Sequence, residues 1–336
     1  EDGDLISSVS DSILLKDKCF SGESVAWSYD DEATSALFEK GDDATYYIPK
    51  KKGESIFTLS CSGLERRIPF KVTDSYFSGG LGTEKEPYLI STKEDMEELA
   101  RRVEENKKGS ATSNWSAGKY FSVIADIDGV ITVVGTGEKA FEGVFDGNEH
   151  VISLNIKSDK NNVGMFGCVD GGIVHEVSVT GTVSGADNVG AICGYLKDGS
   201  IRMVSNSANV TGKNTVGGIC GNSSGSLVGV TNIAVVSGVN YVGGLCGVSE
   251  DSLCVCMNSG IVKGKEFVGG ISGTHQSGVI RSILSVGQVQ GDKKADAVSP
   301  VVIKDDSCLV LCDEQLVTVG AVSESKITFK KTEEIK

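Results

Sequence analysis

The residues best suited to moving protons in this chain of 336 residues are Asp126, Asp128, Asp146 and His150. Carboxylates beside an imidazole are the types that general acid–base hydrolysis uses. Glycoside cleavage would need two carboxylates facing each other at a set separation, and a lyase would need a base with cationic or metal stabilisation of the developing charge. The surrounding sequence points elsewhere. Asp146-Gly-Asn148 is turn chemistry, and His175 and His275 stand alone. No Gly-x-Ser-x-Gly elbow, HExxH helix or phosphate-binding loop occurs. A structural role is therefore expected for these residues, with no catalytic site.

Thiols are the second candidate chemistry, since the chain holds ten cysteines. Cys193, Cys220 and Cys246 fall at one recurring position, which Phe166 and Ser272 occupy in the outer units; Cys256 likewise stands where sister units have an aliphatic residue. Three thiols in one column cannot all pair, so they read as small apolar core residues. Cys254-Val-Cys256 and Cys308-Leu-Val-Leu-Cys312 could chelate a metal, but no CxxC pair or nearby histidine completes either set. No metal and no cofactor is expected. Cys19 and Cys61 leave a disulfide open.

What positions these residues is a repeat. Asn162-Val-Gly-Met-Phe-Gly, Asn188-Val-Gly-Ala-Ile-Cys-Gly, Thr215-Val-Gly-Gly-Ile-Cys-Gly, Tyr241-Val-Gly-Gly-Leu-Cys-Gly and Phe267-Val-Gly-Gly-Ile-Ser-Gly place valines at 163, 189, 216, 242 and 268. Each is followed by an apolar pair, Val174/Val177, Ile201/Val204, Leu227/Val230, Leu253/Cys256 and Ile280/Ile283, and then by a valine and glycine two apart. A fixed period in the twenties marks a solenoid whose units bury their apolar faces only by stacking. Short Val, Ile, Ser and Thr runs broken by glycine favour strands over helix. The expected fold is all-β, a parallel β-helix with about three short strands per coil and roughly seven or eight coils stacked ~4.8 Å apart. Asn206, Asn232, Asn258 and Ser285 share one repeat position and should stack as an amide ladder.

These units resemble the glycine-rich GLUG repeats of secreted and surface-anchored bacterial proteins. Gly82-Thr-Glu-Lys-Glu-Pro-Tyr-Leu-Ile-Ser-Thr92, Tyr120–Asp128, Phe141–His150 and Val151-Ile-Ser-Leu look like the leader preceding such repeats, so the resemblance covers roughly residues 80–291. It implies stalks, adhesins or accessory domains, sometimes attached to proteases, and brings no catalytic residues.

The expected organisation is an immunoglobulin-like β-sandwich over 1–75, a linker and capping helix over 76–118, the β-helix over 119–320 and a C-terminal cap or tail over 321–336. Strand-like runs at Ile13-Leu-Leu, Val25–Tyr29, Thr45–Ile48, Ile56–Cys61 and Arg67–Val72 suggest the sandwich. Ser91 or Thr92 with Glu94 or Asp95 offers a capping box for a helix carrying Met96, Leu99, Ala100 and Val103, placed to cover the open first coil. Beyond Gly291 the pattern decays, with Leu309 and Cys312 echoing the apolar pair and Lys326–Lys331 as a final edge strand.

Net charge is −14, of which the repeats over 162–291 carry seven acids against six bases. No basic footprint for nucleic acid or anionic membrane is evident, and no apolar run could span a bilayer. Variable polar residues at Asp170, Lys197-Asp198, Asn222–Ser224, Glu250-Asp251 and Thr274–Gln276 read as a loop column that could hold a binding surface. The expectation is a non-catalytic, extracellular or surface-attached adhesin-like monomer binding glycan or extracellular protein, its ligand-binding residues not identified. The alternatives are a polysaccharide-active β-helix enzyme and an inert spacer.

Overall fold

A computed structural model describes residues 77–105 and 114–300 throughout. Outside them it describes the strands Leu5–Ser8, Ile13–Lys16, Ala26–Tyr29, Leu37–Lys40, Ala44–Ile48, Gly53–Cys61, Leu64–Thr73, Val310–Cys312 and Val317–Val319. Cys19, Cys308, the side chain of Cys61 and the segment Lys326–Lys331 lie outside the described residues, so the Cys19–Cys61 bridge, the second chelating pair and the final edge strand do too. The chain divides into two compact units, 1–90 and 91–336.

The first unit holds two sheets. One orders Leu5–Ser8, Leu64–Thr73, Gly53–Cys61 and Ala26–Tyr29, with the first pair parallel and the others antiparallel. The other is antiparallel and orders Ile13–Lys16, Ala44–Ile48 and Leu37–Lys40. Tyr47 from the second sheet and Phe57 from the first are both buried and meet edge to face at 4.9 Å. One aromatic pair thus joins the apolar faces of the two sheets. Residues 77–90 fold on themselves, Ser78 donating to the Leu89 carbonyl and Leu89 to that of Gly79.

The second unit is a parallel β-solenoid. One coil runs through Asn214–Gly217, Cys220–Ser223, Ser226–Val228, Thr231–Asn232 and Val236–Ser237. Each strand pairs in parallel with its equivalent one coil away, as in Val216↔Val242, Cys220↔Cys246, Leu227↔Leu253 and Asn232↔Asn258. A coil thus carries five short strands where about three were expected, lined up in four sheets, and the repeat valine and the residues that follow it fall on two of these strands, Asn214–Gly217 and Cys220–Ser223. A glycine-bounded corner separates them. A Cβ on Gly218 would lie 2.2 Å from the Gly244 carbonyl oxygen of the next coil, so only glycine lets adjacent coils approach there.

Repetition makes the core. Val189, Val216, Val242 and Val268, Ile192, Ile219, Leu245 and Ile271, and Ile201, Leu227 and Leu253 are all fully buried in like-on-like columns. The coils before Phe166 are irregular: Tyr120 to Val144 spans 24 residues and Val144 to Ile173 spans 29, against 27 from Ile173 to Ser200. Phenylalanines fill them, with Phe121–Phe141, Phe141–Phe166 and Phe145–Phe166 centroids 5.6, 4.9 and 5.3 Å apart. Larger rings supply the volume that aliphatic columns supply in the regular coils.

The helix is Lys93–Glu104. Thr92 caps it, its hydroxyl accepting from the Asp95 N–H while the Asp95 carboxylate accepts from Thr92 and Ser91. Met96, Leu99, Ala100 and Val103 are buried, and the helix packs on strand Ile127–Val130 of the first coil. That is the placement expected of a lid over an open solenoid end. Glu98 is bound by both Arg101 and Arg102, so the acid-rich surface is partly neutralised within the helix. At the far end Val310–Cys312 and Val317–Val319 continue the stack. Cys312 pairs with Ser285, which places it in the asparagine column and not in the apolar-pair column expected from the sequence.

Candidate functional site

The four sequence-nominated proton-transfer residues do not converge. Asp126 accepts from the Val151 N–H at 2.9 Å and contacts His150 Nδ1 at 3.1 Å. The amide of Val151, then His150, holds the Asp126 carboxyl below its ordinary value. Asp146 accepts the Asn148 N–H at 2.8 Å, and Asn148 and Glu149 take left-handed φ of 47° and 63°, which completes the expected turn. Asp128 is exposed on its strand.

The histidines are placed otherwise than their isolation in sequence suggests. His175 pairs in register with Asp146, 29 residues earlier, and its Nδ1 lies 3.6 Å from both Asp146 Oδ1 and Glu176 Oε1. His275 is buried, its ring nitrogens 3.3 Å from the Ser249 hydroxyl and the Gly278 carbonyl. The loop column is likewise corrected in part. Ser223, Ser249, Thr274 and His275 belong to strands and face inward, while Lys197, Asp198, Glu250 and Gln276 stay at or near the surface.

The asparagine column forms the expected ladder and is wholly buried. Asn206 donates to Asn232 and Asn232 to Asn258, each at 2.8 Å, while each amide also bonds the main chain two residues on in its own coil. The cysteine column fills the core: Cys193, Cys220 and Cys246 form no disulfide and are fully buried, and the thiols of Cys220 and Cys246 donate to the Asn222 and Val248 carbonyls two residues on. Burial pushes the thiols of Cys193 and Cys246 well up, and those of Cys168 and Cys256 to about 11. None of these four is poised as a nucleophile.

Two left-handed columns were missed, one at Glu176, Met203, Gly229, Val255 and Ser282 and the other just before the repeat valines. The residue before each repeat valine is left-handed in every coil: Asn162, Asn188, Thr215, Tyr241 and Phe267 have φ between 53° and 56°. Asparagine tolerates that region, and Asn188 donates to Asn162 at 2.8 Å. Bulky residues there are strained outliers. Yet two successive coils carry Tyr241 and Phe267, whose rings stack at 4.9 Å with 7° between planes, and Lys294 Nζ lies 4.7 Å above the Phe267 ring. Tyr241 is 37% exposed. The four flanking stretches 211–217, 237–243, 263–269 and 290–296 hold exposed Lys213, Lys263, Lys265, Lys293 and Lys294 against Glu266, Asp292 and the buried Asp296. Lys293 pairs with Glu266 at 3.3 Å. An acidic chain therefore carries a locally basic corner with an aromatic ridge. The signal was present in the drift from Asn through Thr to Tyr and Phe at one repeat position.

No family model matches the chain. Over 137 residues it is 31% identical to a candidate Gly-rich membrane protein of Evansella cellulosilytica. That match takes in 36% of this chain but only 14% of the relative's length. Among solved structures, a candidate immunoglobulin A1 protease from Bacteroides ovatus superposes with a TM-score of 0.59 at 22% identity, over 76% of this chain and 86% of that one. The likeness is one of fold, a β-helix in both. Among the described residues no helix is long and apolar enough to cross a membrane.

Proposed function

We propose that the protein is a non-catalytic, adhesin-like module displayed on or secreted from a bacterial cell, built of GLUG-type repeats behind an immunoglobulin-like domain. On this reading the corner formed by Tyr241, Phe267 and Lys294 contacts an acidic glycan or an acidic extracellular protein. The observation that carries it is the strained, partly exposed aromatic pair. Left-handed backbone costs an ordinary side chain ~1–2 kcal/mol, and Asn162 and Asn188 show that the same corner can be built with residues suited to it. Strain kept where a less strained residue would serve is typical of functional surfaces. The lysines around the ridge select for negative charge, and the parallel stack offers an extended ligand a straight edge of repeating contacts. The two-sheet arrangement of residues 5–73 and its buried Tyr47–Phe57 contact support the immunoglobulin-like reading of the first unit.

The test is binding of the full chain to arrays of glycans and extracellular-matrix proteins, with release of reducing ends assayed on the same polysaccharides. Retention on uronate-bearing or sulfated glycans, or on acidic proteins, that weakens with salt supports the proposal. Cleavage of any polysaccharide would replace it with an enzyme, and a blank array with an inert spacer.

A further inference from the structure

We propose that Asp146, His175 and Glu176 bind a divalent transition-metal ion of the zinc class, clamping the last irregular coil to the first regular one. Their donor atoms all lie within 4.8 Å of one another. His175 Nδ1 is 3.6 Å from an oxygen of each carboxylate, beyond hydrogen-bonding distance from either. Bonds of ~2.0–2.1 Å in a tetrahedral site set neighbouring donors roughly 3.4 Å apart. The trio is therefore spaced for a shared ion more than for direct contact. Asp126 and His150 make the contrast: at 3.1 Å they touch as a simple pair.

The backbone explains how the three donors converge. Asp146 and His175 are register partners on adjacent coils, so their side chains leave the sheet side by side. Consecutive residues on an extended strand point to opposite faces, but Glu176 has φ 53°, which breaks the alternation and lets Glu176 and His175 meet. The equivalent positions in later coils are Arg202/Met203, Val228/Gly229, Cys254/Val255 and Arg281/Ser282. None of these pairs repeats the donor set, and no other such trio occurs among the described residues. The site thus coincides with the change from 29-residue to 27-residue spacing.

Donor chemistry sets the class of ion. One imidazole and two carboxylates suit Zn²⁺, Co²⁺ or Ni²⁺; Ca²⁺ prefers oxygen donors alone, and Cu⁺ prefers thiolates. The two carboxylates balance the charge of the ion, and three protein ligands leave a fourth position for water. Arg202, next in register above His175, opposes the cation.

The experiment is isothermal titration of the full, untagged chain with ZnCl₂, repeated with CoCl₂ while the absorption spectrum is recorded. One saturable site is expected. Asp146→Asn, His175→Gln and Glu176→Gln should each weaken it at least tenfold with an unchanged circular dichroism spectrum, and His150→Gln should leave it intact. Arg202→Gln should tighten it, and acid should weaken it because the imidazole must be unprotonated to ligate. Three outcomes would overturn the proposal: no saturable binding, binding indifferent to His175→Gln, or a cobalt–thiolate charge-transfer band, which would assign the ion to cysteine.

Discussion

Removing Asn232 tests the stacking account where its energetics are most concentrated. The side chain is fully buried. Its Oδ1 accepts from Asn206 at 2.8 Å and from the Ala234 N–H at 3.3 Å, and its Nδ2 donates to Asn258 at 2.8 Å and to the Ala234 carbonyl at 3.1 Å. Asn232→Ala thus removes one partner from each of four groups. Asn206 and Asn258 each keep a bond within their own coil, to the Ala208 carbonyl and from the Gly260 N–H, so they are only half orphaned. A buried polar group left unsatisfied costs ~1–3 kcal/mol, and water entering the small space would restore part of the loss. The expected cost is about 3–5 kcal/mol. At roughly 2–4 °C per kcal/mol for a unit of this size, the melting temperature should fall by about 10 °C or more. The assay is thermal and urea unfolding, joined to hydrogen exchange at Ile233 and Ser259, whose amides bond the ladder's own main chain at Asn206 and Asn232. Asn206→Ala with Asn232→Ala should cost clearly less than the sum of the two, since the second truncation removes a group the first left unpaired. A cost below ~1 kcal/mol, or strict additivity, would refute the idea that the ladder acts as one network.

Two further predictions follow from burial and charge. Under native conditions at mildly alkaline pH, thiol alkylation read by peptide mass spectrometry should modify half-exposed Cys254 while Cys168, Cys193, Cys220, Cys246 and Cys256 stay protected until unfolding; fast labelling of Cys220 would contradict the packed column. Because the Asp126 carboxyl is depressed in the folded state, its contribution is present above the usual carboxylate range and lost as pH falls through the folded value. Urea midpoints of the wild type and Asp126→Asn should therefore differ at neutral pH and converge in acid, and a gap that persists at the lowest pH would be the wrong sign.

Much of the scaffold could be read without coordinates because a solenoid writes each core column many times. The valine, cysteine and asparagine columns each recur at one spacing, and inward stacking was the one arrangement that gave every copy the same environment. The Thr92–Asp95 cap was legible as a local motif. What escaped depended on backbone sign and register. His175 looked solitary because its partner Asp146 is a coil away, across an irregular 29-residue step that breaks the period. Ser223, Ser249 and His275 looked like loop residues because polar types were assumed to face water, whereas the hydroxyls of Ser223 and Ser249 are satisfied by carbonyls two residues on. The basic corner was hidden by an overall charge of −14, all but −1 of which resides outside the repeats. The strained column needed φ values, although asparagine giving way to tyrosine and phenylalanine was visible.

The most direct test of a binding role for that column is to replace Tyr241 and Phe267 together with asparagine, then measure affinity for the strongest array ligand and thermal stability on one preparation. Relief of left-handed strain, ~1–2 kcal/mol per site, roughly offsets the lost ring stack at ~0.5–1.5 kcal/mol and the lost lysine contact. The account predicts a melting temperature within a few degrees of wild type and affinity reduced at least tenfold. Unchanged affinity in the folded variant would contradict it and remove the aromatic corner from the binding surface.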